Sequence, residues 1–252
     1  MKDTVISVKN LIKDYDSFRA IDGISFEVYE NEIFGFLGPN GAGKTTTLEI
    51  IETLRNKTSG DVIVGGHDLD KAPAKIKEII GVQLQAGGFY PDLTLGELLD
   101  LFAGIYGVKV NKKDILEKVH LQDKSKSLLK NLSGGQKQRF SLATTIVHQP
   151  PIIFLDEPST GLDPQARRNL WDLIKEIRAQ GSTIVITTHF MDEAEILCDR
   201  VAIVDEGKII NIDTPDNMID KLIATGFTKE KARKMATLED VFLDLTGKGL
   251  RD

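Results

Sequence analysis

The sequence predicts an α/β fold: a mainly parallel sheet, antiparallel strands ahead of it, and an inserted helical region. Three observations carry this. "IFGFL" at 33–37 is apolar nearly throughout, as a strand buried on both faces must be. "PIIFLDEP", "QARRNLWDLIKEIRAQ" and "STIVITTH" then alternate strand, helix and strand, the pattern of βαβ units around a parallel sheet. Between these, from Pro91 to about Gln149, apolar residues recur three and four apart in "LGELLDLFAGIYG" and "KKDILEKVHL", which is helical spacing.

Taken in order, "TVISVKN" and "ISFEVYENE" open the chain as strands. Ile24, Phe26 and Val28 alternate with polar residues, as in a half-buried antiparallel strand. "DVIVGG" and "IIGVQLQ" add strands before the helical insertion, placed at about 86–149. "RVAIVDEGKIINI" reads as a hairpin turning at Glu206-Gly207. "DTPDNMIDKL" reads as a helix with Thr214 as N-cap and Pro215 in its first turn. In "TLEDVFLDLTG", Thr237 and Asp240 have capping-box spacing, and Leu238, Val241, Phe242 and Leu245 share one helical face. The division expected is a main domain over 1–225 and a short helical tail over 226–252.

The composition of the 252 residues, 41% hydrophobic and 28% charged, is that of a globular chain. No run approaches the roughly 20 apolar residues needed to span a bilayer, and with no apolar core behind the basic start of "MKDTVISVKN" no secretory signal is expected. The single cysteine, Cys198, excludes an internal disulfide and reads as a small buried apolar residue. A formal charge of −6 argues against nucleic acid as the main partner. A cytoplasmic chain is expected.

"GPNGAGKTT" satisfies G-x-x-x-x-G-K-[ST] and stands between a buried strand and a helix-like run, the setting that motif requires. Gly38, Pro39, Asn40, Gly41, Ala42, Gly43, Lys44, Thr45 and Thr46 are therefore the candidate nucleotide loop. Backbone N–H groups from Asn40 to Thr45 would cradle a phosphate at a helix N-terminus, whose partial positive charge favours anions. Lys44 would bridge the β- and γ-phosphates, and the Thr45 hydroxyl would ligate Mg²⁺. "PIIFLDEP" ends a core strand on two adjacent carboxylates, costly there unless a cation or a reacting water uses them. Asp156 fits the Mg²⁺ side and Glu157 the general base. His189 closes a third strand, and ligands of parallel sheets gather at those carboxyl ends. A neutral imidazole there would hold the γ-phosphate or orient water.

A second glycine loop, "NLSGGQKQR" at 131–139, offers backbone donors and a hydroxyl but neither lysine nor metal ligand. It would complete a phosphate site without making one. Together, "GPNGAGKT", "LSGGQ" at 132–136, "IIFLDEP", "STGLD" at 159–163 and "TTHFMDEAE" resemble the ATP-binding subunits of ABC transporters.

The resemblance implies a P-loop nucleotide-hydrolase core with ATP and Mg²⁺ as its ligands, and LSGGQ carried on the inserted helical subdomain. It matches Tyr15 to the aromatic that stacks on adenine, with Phe18 as the spare. It matches Gln85 to the glutamine that reaches Mg²⁺ or water, although Gln83 lies on the same strand face. Asp163 corresponds to the acid of a loop at a dimer interface, and equally suits a helix N-cap before Pro164. Ser133, Gly134, Gly135 and Gln136 would close over ATP held by a second copy, or by a homologous subunit, paired head to tail.

A separate membrane permease is implied, its coupling helix received near Ala86 to Gly104, with the chain peripheral on the inner face of the cell membrane. "QAGGFYPDLTLGELLDLFAGIYG" and the tail resemble bacterial exporters of drugs and antibiotics. An importer ATPase, and a soluble ATPase of the same family that serves no membrane, stay open as alternatives.

Overall fold

The computed structural model describes residues 3–83 and 89–226. β1 (Thr4–Tyr15), β2 (Phe18–Tyr29), β4 (Ser59–Val64) and β5 (His67–Asp68) form an antiparallel sheet in the order β2-β1-β4-β5. Ile24, Phe26 and Val28 are buried while Ser25 and Glu27 are exposed, as the alternation predicts. β1 and β2 run longer than expected and meet in a turn at Asp16, with φ near 40°.

The second sheet contains β3 (Ile33–Leu37), β6 (Ile80–Val82), β7 (Ile152–Asp156), β8 (Thr183–Thr188), β9 (Arg200–Asp205) and β10 (Lys208–Asp213). Its order is β10-β9-β3-β8-β7-β6, parallel throughout except for the β9–β10 hairpin. That hairpin turns at Glu206 (φ 45°) and Gly207 (φ 75°), the two positive angles a tight two-residue turn requires.

The helices are α1 (Lys44–Ile51), α2 (Pro73–Ile79), α3 (Leu95–Ile105), α4 (Lys112–Lys118), α5 (Gly134–Thr145), α6 (Pro164–Ala179), α7 (Met191–Leu197) and α8 (Pro215–Ala224). Thr214 caps α8 as expected, its hydroxyl accepting from the Asn217 amide. Two short helices escape the sequence pattern for physical reasons. α2 buries only Ile76, and the hidden face of α7 includes Glu193, so neither shows an apolar stripe. The tail helix expected around 237–245 falls outside the described residues.

The pleat of the parallel sheet divides the interior in two. Phe34, Phe36, Ile152, Phe154, Val185, Ala202 and Val204 face α1 and the antiparallel sheet. Ile33, Ile153, Leu155, Ile184, Ile186 and Val201 face α6, α7 and the helices of 95–145. Phe26 joins the two sheets, stacked on Phe34 at 5.7 Å and edge-on to Phe36 at 5.0 Å between ring centroids. At the sheet's other side β6 lies against α5. A Cβ on Gly81 would stand 2.5 Å from the Thr145 carbonyl oxygen, so only glycine permits that approach.

Strand register aligns the functional ends. Leu37 pairs with Thr188 and Asp156 with Thr187, so β3, β7 and β8 finish at one level.

Candidate nucleotide-binding site

A cleft of about 720 Å³ opens at those strand ends, within the range of small-molecule sites. It is lined by Tyr15, Phe18, Ala20, Asn40, Gly41, Gly43, Lys44, Thr45, Thr46, Gln83, Gln138, Asp156, Glu157 and Thr160. The loop leaving β3 is pressed against its neighbours. A Cβ on Gly38 would meet the Val204 carbonyl oxygen at 2.1 Å, and one on Gly43 the Ala20 carbonyl at 2.6 Å. Gly41 and Gly43 also hold φ of 85° and 99°, which L side chains rarely adopt. Gly38→Ala is accordingly expected to lower stability by at least about 1–3 kcal/mol, read as a reduced midpoint in urea denaturation.

The loop delivers the chain into α1, whose N-cap Gly43 offers no side-chain cap and whose first turn holds no acidic residue. In contrast, α3, α5, α6 and α8 are each capped by a side chain. The N-terminus of α1 thus keeps its amide donors and positive dipole end for an anion. Lys44 is 4% exposed; its Nζ donates to the carbonyls of Gly38 (2.8 Å) and Pro39 (3.0 Å) and lies 3.6 Å from Glu157 Oε1.

Across the cleft, the Thr45 hydroxyl donates to both Asp156 oxygens, at 3.1 and 3.2 Å. Thr187 orders both acids: its hydroxyl donates to Asp156 and accepts the Glu157 amide at 3.0 Å. Glu157 sits at φ 47°, a left-handed conformation costing a non-glycine residue about 1–3 kcal/mol. Its amide bonds to Thr187 help keep it there. The Thr160 hydroxyl donates to Glu157 Oε2 at 3.1 Å, and His189 Nδ1 lies 3.2 Å from the same oxygen. Burial pushes the Glu157 carboxyl up, but His189, Thr160 and the charge of Lys44 outweigh it and hold it below its ordinary value. The group is therefore ionised at neutral pH.

The structure does not gather every expected residue here. Asp163 N-caps α6, accepting from the Ala166 amide at 2.8 Å, with Pro164 in the first turn. Ser133, Gly134, Gly135 and Gln136, expected to close over ATP of a second copy, do not line this cleft, and their reading as a loop is corrected. They are the N-terminus of α5, closed by a capping box in which Ser133 and Gln136 exchange hydrogen bonds at 3.2 Å. Gly134 is exposed, and a Cβ there would meet nothing within 4 Å.

Gln85 lies outside the described residues, whereas Gln83 lines the cleft with Oε1 buried and unpartnered. Tyr15 and Phe18 both reach the cleft; Lys13 Nζ lies 4.7 Å and Arg55 Cζ 5.5 Å from the Tyr15 ring centroid. Sequence reasoning missed Thr187, Thr160 and Gln138, the last of which donates to the Pro158 carbonyl. The doubled threonine of "TTH" was the available signal for the first.

The donors around Thr45 fit a small hard cation. One hydroxyl and one carboxylate suit Mg²⁺, which takes few protein ligands and fills its shell with water and phosphate. Among the described residues no cluster of three or more His, Cys, Asp or Glu is placed to hold a metal unaided. Nor is any described helix long and apolar enough to cross a membrane.

Residues 21–160 match the ABC transporter family. The linearmycin resistance ATP-binding protein of Bacillus subtilis is 37% identical over 223 residues, 86% of this chain and 72% of that protein. The Nod factor export ATP-binding protein I of Burkholderia lata is 37% identical over 240 residues, 93% of this chain and 79% of that one. A dimeric ATP-binding cassette, solved in a post-hydrolysis state bound to ADP and Pi, superposes with TM-score 0.74 at 26% identity, covering 83% of this chain and 98% of that one. With the cleft, its uncapped helix end and its paired acids in place, these likenesses assign the chain to the ABC transporter family, as an ATP-binding, ATP-hydrolysing subunit.

Proposed function

We propose that this chain drives export of an antibiotic, drug or other apolar compound through a separate membrane permease, by ATP-dependent closure of a head-to-tail dimer. The observation that carries the ATP chemistry is the convergence of Lys44, the Thr45–Asp156 pair and Glu157 with His189 at one level of the sheet. In this reading the α1 amides and Lys44 hold the β- and γ-phosphates, while Thr45 and Asp156 hold Mg²⁺. That ion supplies charge neutralisation to the phosphates.

Glu157 accepts a proton from water as the water oxygen bonds to the γ-phosphorus. The bond from that phosphorus to the β,γ-bridging oxygen then breaks, leaving ADP and inorganic phosphate. His189, beside Glu157, holds the γ-phosphate. An aromatic at Tyr15, or the exposed Phe18, stacks on the base.

Support for the shared site comes from Gly134. Among the described residues nothing requires a glycine there, and the capping box already satisfies Ser133 and Gln136. The capping box does not use the Gly134 and Gly135 amides, and with no side chain at Gly134 that exposed helix start admits a phosphate held by another chain. Asp163, which begins α6, would stand at the same interface.

Ser133→Arg is expected to leave single-chain ATP binding intact and to abolish hydrolysis. Mixing that variant with Lys44→Ala chains should restore activity, because one of the two composite sites is then whole. No recovery in the mixed dimer would overturn the cross-chain arrangement.

Support for export comes from the relatives named for linearmycin resistance and Nod factor export. Reconstitution with the copurifying membrane subunit tests it. Antibiotic-stimulated ATPase without any added binding protein is the expected result, and stimulation only by a solute delivered on a binding protein would establish import instead.

A further inference from the structure

One side chain of the cleft has no part in these roles. Gln138 lies on α5, one turn beyond Gly134, and is the residue through which that helix lines the cleft. Its Nε2 donates to the carbonyl of Pro158, the residue that follows Glu157. Pro158 is buried, and a carbonyl shut away from water needs a donor. The glutamine amide supplies one without adding charge to a cleft that already holds Lys44, Asp156 and Glu157.

What hangs on Pro158 is the base itself. Glu157, Pro158, Ser159 and Thr160 form a four-residue turn, closed by the Thr160 amide donating to the Glu157 carbonyl at 3.2 Å. Pro158 takes the second position, where its ring suits the turn. The turn begins at the left-handed Glu157 and ends at Thr160, whose hydroxyl donates to Glu157 Oε2 at 3.1 Å. From the strand side Thr187 holds the Glu157 amide, its carbonyl accepting at 3.1 Å and its hydroxyl at 3.0 Å. Gln138 grips the same turn from the helix side. The carboxylate is therefore anchored on two separate elements of the fold.

We propose that Gln138 is a positioning residue for ATP hydrolysis: by holding the Glu157–Thr160 turn at the Pro158 carbonyl, it fixes the Glu157 carboxylate that serves the nucleotide of its own chain. This rests on the reading of the cleft as the hydrolytic site. One helix then serves two nucleotides. Its N-terminus meets the one held by the second copy, and its next turn steadies the base for its own.

The test is steady-state ATPase of the full chain with wild type, Gln138→Met, Gln138→Ala, Glu157→Gln and the double variant Glu157→Gln/Gln138→Met. Methionine keeps the length and helix preference of glutamine and lacks the donor. Gln138→Met should lower kcat on the order of tenfold or more, a loss typical of a misplaced catalytic group, with KM for ATP within about twofold. Gln138→Ala should lower it at least as far. In the Glu157→Gln background Gln138→Met should cost less than about twofold further, because residues acting as one unit are not additive.

The mixed dimer shows which nucleotide Gln138 serves. When Ser133→Arg chains pair with Lys44→Ala chains, the one whole site takes its ATP and its Glu157 from the Ser133→Arg chain. Gln138→Met carried on that chain should lower the restored activity about tenfold, and carried on the Lys44→Ala chain by less than about twofold.

Full activity of Gln138→Met, a raised KM with kcat preserved, an undiminished further loss in the Glu157→Gln background, or a tenfold loss when the Lys44→Ala chain carries the change would each overturn the positioning role while leaving the cleft assignment standing. No activity in the parent mixture would overturn the shared site, and the Glu157 double variant would then decide the positioning role. A wild-type chain with no ATPase would overturn the cleft assignment and this role together. Thermal melts and displacement of a fluorescent ATP analogue separate misfolding from misplacement.

Discussion

Lys44→Ala should abolish ATP turnover, a loss of at least about 10²–10³-fold, as for removal of a preorganised donor to transition-state charge. The reason is the electrostatic setting as much as the contact. Lys44 is 4% exposed and is tied to two backbone carbonyls of its own loop, so its ammonium is aimed before any nucleotide arrives. A fixed cation held largely out of water interacts with phosphate far more strongly than it would in bulk water.

Alanine removes that charge and also strips Glu157 of the cation 3.6 Å away, which raises the carboxyl and weakens it as an anion. The Gly38 and Pro39 carbonyls lose a donor at a cost of about 1–3 kcal/mol, so a modest fall in melting temperature should accompany the loss. Radiolabelled ATP hydrolysis and calorimetric ATP binding check this. Wild-type turnover in the variant would remove Lys44 from the chemistry.

Glu157→Gln should separate binding from hydrolysis. Turnover should fall on the order of 10²–10⁴-fold, the usual contribution of a positioned general base. Glutamine keeps the backbone, the two amide bonds to Thr187 and nearly the same shape, so the φ of 47° is no harder to hold than before. It lacks only the basic oxygen. ATP binding should persist, and ATP should then trap a dimer that light scattering detects at twice the monomer mass. Hydrolysis near the wild-type rate would assign the base elsewhere, and hydrolysis lost without a trapped dimer would break the link between turnover and release.

What could be read from the sequence follows the range of the interactions. The nucleotide loop, the acids of "FLDEP" and the hairpin at Glu206-Gly207 are local: neighbouring residues make the geometry, and residue type and spacing reveal it. The three strand ends were legible because buried parallel strands announce themselves as apolar runs.

Thr187 was not legible, since its value lies in bridging two acids on the neighbouring strand, and a pairing register is invisible before folding. Glu193 and Trp171 are 22 positions apart and meet only when α6 and α7 pack. Ser133 to Gln136 misled in the opposite direction. The glycines read as a loop, yet the serine and glutamine three apart were writing a helix start.

The seating of α5 on β6 has a mechanical consequence. The far end of that helix is clamped: the Thr145 carbonyl presses on Gly81, and His148 Nε2 lies 3.0 Å from the Ile80 carbonyl oxygen. β6 is the strand that runs on to Gln83 in the cleft. At about 1.5 Å rise per residue, Gly134 rides roughly 16 Å from that fulcrum, so a tilt of about 10° sweeps it through roughly 3 Å. A hydrogen-bond's length of travel at the helix tip therefore needs only a few tenths of an ångström of adjustment where helix and strand touch. A rigid tilt of α5 would thus turn about the contact at Gly81, on the strand that leads to Gln83 in the cleft.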